Sequence, residues 1–506
     1  MPERIVRKEL FAGALKGSLS IDALRQSLRA DRGVVAESVS MTDGRLFVLA
    51  ESGNVPSLIV ASLNQDALDG FSGERLSIDE CKEPYHAAIC PLTHANAARL
   101  RETLPRTAPS VLDCKESFGT GDRIGGSAPA TPGHIAALEG TGMIPVLAQQ
   151  SVRENLKTGR IYDQVMDDVT WSVFRTGYDG QWGSDADHQK ELDGLDEAVR
   201  AGFTMFTLDP SEMIDNAAVT DSDSALSGKL RSLFTSERDA EAFVSRYEGR
   251  DGADRTAVVR STVKYLHAVR HAVQAYRRIE ELRSGSGFNF ELSIDETTTT
   301  TTAIDHRIIA TECIREGVEL FSLAPRFEGA FEKGIDYKGS VEGFRRSLAT
   351  HATLARELGE YRLSLHSGSD KFSIYPVFGE VTGGFFHIKT AGTSYLEAVK
   401  VSAATDMDFF RRILGLSLDT FEDNAASYEI SANPGNVLAP SKLDSDHAIW
   451  EIEGNPDMRQ VLHIAFGVVL GEMGGELRTL LQNNDSLYKD YLVKHIGRHV
   501  KGLRGE

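Results

Sequence analysis

Eight short apolar runs, separated by longer stretches of helical or loop character, constrain the fold of this chain more than any other feature. Strands that alternate with helices pair in parallel, because each crossover returns the chain to the same end of the sheet. Eight of them predict an α/β fold, a closed (β/α)₈ barrel of the TIM type, with an open doubly wound sheet as the alternative. The runs are Val111–Phe118, Ile144–Gln149, Phe203–Asp209, Phe288–Asp295, Leu320–Pro325, Arg362–Ser367, Phe385–Thr390 and Ser427–Ser431.

The regions on either side of this pattern predict two additions to the barrel. The barrel is expected over residues 111–432, after an N-terminal α+β cap in residues 1–110 and before a helical extension in residues 433–506. A chain of 506 residues accommodates these parts, since single cores rarely grow far beyond about 300 residues. The flanking elements expected are the strands Arg45–Ala50 and Ser57–Ala61 and the helices Ala95–Glu102, Met458–Leu470 and Leu477–Val493.

One interval inside the barrel pattern, residues 211–283, is longer than a single crossover needs and predicts a helical insertion. Seven largely apolar residues recur in it at steps of three and four, which places them along one side of a helix. We expect the insertion to cover the barrel as a lid or to contact a second subunit in a homo-oligomer. The seven residues are Val259, Thr262, Leu266, Val269, Val273, Tyr276 and Ile279.

Charge and composition exclude several classes of partner. A formal net charge of -19 provides no basic field for nucleic acid and repels anionic membranes. No stretch approaches the roughly 18 apolar residues of a membrane helix, and residues 1–19 lack the apolar core of a signal peptide. We therefore expect a soluble, cytoplasmic protein that binds a small molecule. The cysteines, which form no C-x-x-C pair and are expected to be free thiols, are Cys81, Cys90, Cys114 and Cys313.

Alternation within the predicted strands assigns polar side chains to the inside of the barrel, because successive residues of a strand point to opposite faces. In Phe288–Asp295 the apolar residues share the outward face, and Glu296 follows just beyond the strand. Barrel enzymes carry their catalytic groups at the carboxyl ends of the strands, so we expect the active site there. The inward residues of this and the other strands are Asn289, Glu291, Ser293, Asp295, Arg362, Ser364, His366, His387 and Lys389, with Asp209 ending a further strand.

Two histidines and a carboxylate from separate strand ends predict a divalent-metal site. The expected ligands are His366, His387 and Asp295, with Glu296 or Glu291 as substitutes. Imidazole and carboxylate suit Zn, Mn, Ni or Co, among which the sequence does not choose. The alternative is that the histidines only form hydrogen bonds within the barrel.

Segments after three strands are suited to an anionic ligand. The loop Gly119–Gly126 has the spacing G-x-G-x-x-x-G, which departs from the dinucleotide-binding pattern, so a nicotinamide site is the less favoured alternative. We expect this loop to present Asp122 and Arg123 to the ligand. Ser367–Lys371 offers small donors and a lysine, against the alternative of an ordinary turn, and Arg326 is a further candidate for a carboxylate.

Several segments together resemble the tagaturonate epimerase family. The resemblance implies a metal-dependent isomerase of hexuronate metabolism that interconverts fructuronate and tagaturonate. The loop 125–131 and the threonine run 297–302 depart from the family pattern and leave the exact sugar acid open. The matching blocks are Gly121–Arg123, Ala130–His134, Ala148–Ser151, Gly183–His188, Gly202–Thr207, Ser293–Thr297, Ser322–Phe327, Leu365–Phe372 and His387–Tyr395. The substrate-binding residues expected are Arg123, Gln150, Arg326, Ser367, Ser369 and Lys371.

The implied reaction constrains the catalytic groups. The two sugar acids differ at a carbinol carbon one bond beyond the carbon adjacent to the ketone, so the ketone does not acidify its C–H. Retro-aldol cleavage, rotation of the aldehyde and re-addition would invert it, with a metal polarising the ketone. This route needs two acid/base groups, for which Asp122, Asp209 and Glu296 are candidates, and Lys389 would assist the oxyanion.

Three other interpretations compete with this one. Transient oxidation by a tightly held nicotinamide is the rival chemical route. A class II aldolase or a sugar isomerase acting on a related sugar acid would share the metal but release different products. A carbohydrate-binding or scaffold protein would tolerate loss of His366 and His387, although many polar groups at strand ends argue against it, since unpaired buried polar groups are costly.

Overall fold

The computed structural model of the chain forms two compact units. The first comprises Met1–Pro109 and Asp163–Gln181, and the second comprises Ser110–Tyr162 and Trp182–Glu506. The domain limits expected at residues 110 and 432 stay predictions. The residues described are 7–31, 33–51, 55–79, 84–390, 392–426 and 428–506.

The first unit contains an antiparallel sheet of five strands. Its elements are α1 (Lys8–Leu15), α2 (Ile21–Leu28), β1 (Val34–Thr42), β2 (Arg45–Ala50), β3 (Ser57–Ser62), β4 (Glu74–Ile78), β5 (Tyr85–Pro91) and α3 (His94–Thr103). The strand order is β1-β2-β3-β5-β4, and β2, β3 and α3 confirm the predicted strands and helix. Asp43 and Gly44 have φ values of 49° and 70°, the backbone conformation that a tight hairpin turn between β1 and β2 requires.

The second unit contains the closed barrel of eight parallel strands that the sequence predicts. Its strands are β6 (Glu116–Gly119), β7 (Ile144–Ser151), β8 (Gly183–Gln189), β9 (Met205–Leu208), β10 (Asn289–Ile294), β11 (Ser322–Pro325), β12 (Arg362–Leu365) and β13 (Phe386–Lys389). Neighbours along the chain pair with one another, and β13 closes the barrel by pairing with β6. Seven of the eight predicted runs overlap a barrel strand.

One predicted strand, Ser427–Ser431, is wrong. Ser427 lies outside the described residues, and residues 428–431 form no strand. The missing member is β8, whose sequence, GSDADHQ, has almost no apolar residue and therefore gives no hydrophobic signal. Asp185 and Asp187 of this strand face into the barrel interior, where Lys389 and the Thr207 hydroxyl are their partners.

Helices follow the barrel strands along the chain, as the (β/α)₈ pattern requires. They are α4 (Thr131–Leu138), α5 (Val152–Thr158), α6 (Tyr162–Thr176), α7 (Leu192–Arg200), α8 (Asp223–Ser232), α9 (Glu237–Tyr247), α10 (Arg255–Arg283), α11 (Ala303–Arg315), α12 (Val341–Leu358), α13 (Tyr375–Thr382) and α14 (Ser394–Thr405). Most of α6 belongs to the first unit. The long α10 carries the predicted apolar stripe, packs against α7 and α11, and takes the place of the crossover helix between β9 and β10. The added segment is thus α8 with α9.

The C-terminal region is helical and shares one apolar core with α14. Its helices are α15 (Met407–Asp419), α16 (Phe421–Ala425), α17 (Ser445–Gly454), α18 (Pro456–Ile464), α19 (Phe466–Asn483) and α20 (Asp485–Arg504). The two helices predicted here are each interrupted, at Ala465 and at Asn484, so their predicted bounds are wrong. Among the described helices, none is both long and apolar enough to cross a membrane. Cys90, Cys114 and Cys313 are free thiols as predicted, and Cys81 lies outside the described residues.

Candidate active site

A buried lysine organises the polar interior of the barrel. Lys389, the last residue of β13, places its ammonium 2.8 Å from Asp185 Oδ2, 2.8 Å from Asp187 Oδ1 and 3.0 Å from Glu291 Oε1. It also donates to the Thr207 hydroxyl at 2.5 Å. Burial lowers the pKa of Lys389, but the three carboxylates outweigh it and hold that pKa above its ordinary value. The lysine is therefore a fixed cation that orients Asp187, and the surplus of two carboxylates favours a further cation nearby.

His366, the first residue after β12, is held on one side by a hydroxyl and a carboxylate. Its Nδ1 lies 2.5 Å from Ser293 Oγ and 3.3 Å from Asp295 Oδ1, and Ser293 donates to the same carboxylate at 2.6 Å. Its Nε2 lies 3.2 Å from Asp187 Oδ1. Burial lowers the pKa of His366, but Asp295 and Asp187 raise it to about 10. The pocket thus places positive charge at this ring.

His188 lies beside His366 because of an irregularity in β8. The ring centroids of the two histidines are 4.1 Å apart, and His188 Nδ1 is 3.5 Å from Asp209 Oδ2. The pairing of β8 with β9 shifts register between Ala186 and Gln189, and His188 has a φ of 53°. Such a bulge re-aims a side chain. As a result Asp187 and His188, which are consecutive, both point toward one site.

Two groups of possible metal ligands share His188. One is Asp187, His188 and His366, and the other is His188, Asp209 and Glu296; within each group one ligand atom per residue lies within 4.8 Å of the others. His366 Nε2 and Asp209 Oδ2 are buried, and their contacts, with Asp187 at 3.2 Å and with His188 and Lys190 at 3.5 Å, fall outside hydrogen-bond geometry. Buried polar atoms are seldom left unpaired. Imidazole nitrogens and carboxylate oxygens in this arrangement fit a divalent cation of the zinc or manganese type.

The ligand groups open into two adjoining pockets at the carboxyl end of the barrel. The inner pocket is lined by Asp187, His188, Lys389, Gln149 and Arg123. The outer pocket is lined by Asp295, Glu296, Thr297 and Arg326. Lys333, His366 and Ser367 line both pockets. A ligand in these pockets would contact the possible metal ligands and several basic side chains at once.

The profile of the tagaturonate epimerase family matches residues 35–503. The chain belongs to this family. A tagaturonate/fructuronate epimerase of Thermotoga maritima is 40% identical over 423 residues, which cover 82% of this chain and 86% of that protein. The crystal structure of a fructuronate-tagaturonate epimerase from Cohnella laeviribosi with one glycerol is 32% identical, covers 96% of this chain and 99% of its own, and has a TM-score of 0.86. The crystal structure of the same enzyme with two glycerols is 33% identical, covers 94% of this chain and 98% of its own, and also has a TM-score of 0.86. These relatives are isomerases of hexuronates.

In this tagaturonate epimerase family member, two predicted metal ligands, His387 and Asp295, lie outside the ligand groups of the described residues. His387 pairs in register with Ser364, two residues before His366, and therefore lies about 6–7 Å deeper in the barrel. Its Nδ1 contacts Ser117 Oγ at 2.8 Å, and it belongs to none of the ligand groups of the described chain. Asp295 faces the Nδ1 side of His366, whereas the Nε2 side faces Asp187. The structure gathers Asp187 and His188 instead.

Three other expected residues are committed to the backbone or face away. The Asp122 carboxylate accepts hydrogen bonds from the backbone N–H groups of residues 124, 125 and 130, at 2.7 to 3.0 Å, so it closes its own loop. Gln150 is buried on the opposite side of β7 from Gln149, the glutamine that lines the inner pocket. The Lys371 ammonium donates to three backbone carbonyls, and burial lowers the pKa of Lys371 to about 7. Lys371 therefore stabilises the backbone of a loop, although its side chain also lines the inner pocket.

The remaining predicted residues do meet at the pockets. Arg123 pairs with Glu154 at 2.6 Å and leaves Nη1 without a hydrogen bond to any described residue. Arg326 donates to the Asp295 backbone carbonyl at 3.3 Å. Ser367 and Ser369 line the inner pocket, Glu296 lines the outer one, and Asp209 lies behind His188.

The pocket also contains residues that the sequence does not predict as site residues, among them Asp187, His188, Lys333 and His463. Asp187 and His188 lie in the family block Gly183–His188, so that block was the available signal, but its polar composition concealed the strand. Lys333 and His463 come from a loop after β11 and from α18. Neither stands at the end of a strand, and no periodicity in the sequence connects them to the barrel.

Proposed function

We propose that the protein interconverts D-fructuronate and D-tagaturonate with a divalent metal held by Asp187, His188 and His366. The observation that carries this proposal is the ligand group at the barrel mouth, with the buried His366 Nε2, which lies 3.2 Å from Asp187 but makes no well-formed hydrogen bond, at its centre. The family membership supplies the pair of sugar acids. When bound, the metal would act as a Lewis acid that polarises the ketone and stabilises an enediolate.

The chain's own residues orient this site. Ser293 and Asp295 hold the Nδ1 side of His366, and Asp209 holds that of His188, so that each ring presents Nε2. Lys389 fixes Asp187 and balances its charge. Lys389 is thereby proposed as a positioning residue, because its ammonium already contacts three carboxylates and a hydroxyl.

Two carboxylates are proposed to move the proton of the reacting hydroxyl. Glu296 takes this proton as the bond between the carbinol carbon and the carbon adjacent to the ketone breaks, which gives an aldehyde and an enediolate. The aldehyde then turns its other face to the enediolate. Glu296 passes this proton on to Asp209, the bond re-forms, and Asp209 delivers the same proton to the new alkoxide, so both carboxylates end the cycle ionised as they began. Both carboxylates lie in one ligand group within 4.8 Å.

Proton NMR of D-fructuronate in D₂O tests the proposal. We expect tagaturonate to accumulate with manganese-loaded protein, without deuterium at the inverted carbon, and not with protein stripped by EDTA. Deuterium at that carbon would overturn the retro-aldol route. Turnover by the stripped protein would overturn the metal. Three-carbon products or a shifted carbonyl would indicate the aldolase or isomerase alternative.

A further inference from the structure

Most cations of the inner pocket already have partners. Lys389 contacts three carboxylates, Lys371 donates to three backbone carbonyls, and Arg123 pairs with Glu154. Lys333 differs. Its ammonium donates to the Ser367 hydroxyl at 3.1 Å and forms no ion pair with a carboxylate of the described chain. A half-buried ammonium that faces a pocket without a counter-charge is a ready partner for an anionic ligand.

Lys333 is held in place by the C-terminal helices. Gln460 of α18 donates to the Lys333 backbone carbonyl at 3.2 Å and to Glu332 Oε2 at 3.0 Å. Lys371 fixes the same loop through the carbonyls of Glu332 and Ile335. The backbone that carries Lys333 is therefore anchored on both sides of the residue, which positions its ammonium for a ligand.

His463 completes the same wall of the pocket. It is 1% exposed, it lines the inner pocket, and neither ring nitrogen hydrogen-bonds to any described residue. Its ring packs against Gly334, where an added Cβ would lie 3.4 Å from the imidazole. Burial holds the pKa of His463 well below its ordinary value, and the charges of Arg123 and Lys333 act in the same direction. The ring is thus neutral and offers one donor and one acceptor.

We propose that Lys333, Ser367 and His463 form the subsite that binds the carboxylate of a ketohexuronate. This inference rests on the proposed function and extends it. Lys333 supplies the charge, and Ser367 and His463 supply neutral hydrogen bonds. Because all three border the pocket that also contains His366, the carboxylate end of the sugar acid would lie within the same pocket as the reacting carbons.

The subsite also has a task during the reaction. Cleavage beside the carbinol carbon leaves the carboxylate on the three-carbon aldehyde fragment, which is the fragment that must turn over. A fragment anchored by its carboxylate can rotate about its carbon–carbon bonds without leaving. Loss of the anchor should therefore release cleavage products that the intact protein retains.

The test compares Lys333→Met and His463→Phe with Lys338→Met, a control in the same loop whose side chain is 48% exposed and pairs with Glu332. Calorimetry gives the Kd of D-fructuronate and of D-tagatose, which lacks the carboxylate. We expect K333M to weaken fructuronate binding about 10- to 100-fold, the range of a charge-assisted hydrogen bond, and to leave tagatose binding unchanged. H463F should weaken fructuronate binding less, and K338M should match the wild type.

Two further readouts separate binding from folding and from the proposed function. H463F should unfold at the same temperature as the wild type or higher, since it removes two unpaired buried nitrogens, and K333M should release three-carbon products in the NMR assay. Equal Kd values for K333M and wild type, or equal losses for fructuronate and tagatose, would overturn the subsite. Tight fructuronate binding by a wild type without turnover would overturn the proposed function and leave the subsite standing.

Discussion

Two histidine pairs in the same barrel unit differ in what surrounds them. His188 and His366 lie with ring centroids 4.1 Å apart at the pocket, and His306 and His351 lie 5.0 Å apart between α11 and α12. In the second pair, the two Nδ1 atoms are 2.8 Å apart, and His306 Nε2 lies 2.6 Å from the Tyr361 hydroxyl. No carboxylate of the described residues contacts the second pair, whereas the first pair contacts Asp187, Asp209 and Asp295.

The difference shows that histidine pairing alone does not mark a metal site. Burial lowers the pKa of His306 well below its ordinary value and that of His351 to about 4, so both rings are neutral and serve the fold. In the pocket pair, carboxylates raise the pKa of His366 to about 10 against the effect of burial. A buried ring nitrogen that lies close to carboxylates and makes no well-formed hydrogen bond is the combination that favours a metal.

The largest effect is expected from His366→Ala, which tests whether the pocket pair of histidines binds a metal. We expect at least about a 1000-fold loss of turnover, because the substitution removes a proposed ligand and the centre of the site. Metal content by elemental analysis should fall with it. Replacement of His351 by glutamine is the matched control and should keep both. Full metal content in H366A would refute the ligand assignment.

Replacement of Lys389 by methionine tests the carboxylates of the pocket pair. It would leave three buried carboxylates without their cation, which we expect to cost about 3–5 kcal/mol of unfolding free energy. Urea denaturation, followed by circular dichroism, measures this loss. A variant as stable as the wild type would mean that these carboxylates are protonated or hydrated in solution.

Substitution of His306 by phenylalanine tests whether the second histidine pair, His306 and His351, has a purely structural role. It removes the partner of two buried polar groups, so we expect a loss of about 1–3 kcal/mol in stability. The reaction rate should stay within about twofold of the wild type, because no pocket residue is touched. A large loss of activity with unchanged stability would contradict a purely structural role.

The smallest effect is the pH dependence of stability. The folded pKa of His351, about 4, lies below the unfolded value of 6.5, so the unfolded chain binds more protons between these values. Stability should therefore fall as the pH drops through this window, by at most about 1.4 kcal/mol per pH unit from this residue. Thermal unfolding between pH 7 and pH 5 should show a shallower decline for His351→Gln. Parallel curves would show that His351 is charged in the folded protein.

The sequence predicts the barrel well because seven of its strands carry an apolar outward face. Apolar patterning does not detect β8, because its inward residues Asp185 and Asp187 form ion pairs with Lys389 in place of apolar contacts. The alternation of residues along each strand correctly predicts that Glu291, His366 and Lys389 face the barrel interior. Alternation indicates the face of a strand and not the depth in the barrel, so it also predicts His387 as a ligand, although His387 lies one layer below His366.

The rest of the site depends on contacts that only the folded chain makes. In the sequence, the Asp122 carboxylate is a good candidate to contact a ligand. In the fold, the backbone N–H groups of residues 124, 125 and 130 already donate hydrogen bonds to it. Gln149 and Gln150 are indistinguishable by type, and the strand orientation alone separates them. His463 reaches the pocket through tertiary packing of α18, so no local pattern could reveal it.

The bulge in β8 also determines how this site can vary. Asp187 and His188 reach the pocket together only because one backbone irregularity turns both side chains to the same side. A single-residue deletion or insertion in β8 would reverse that arrangement and remove two proposed ligands at once, whereas substitutions at either position act singly. Length changes in this strand should therefore be tolerated far less than changes of residue type, and libraries that diversify the pocket should hold the length of β8 fixed.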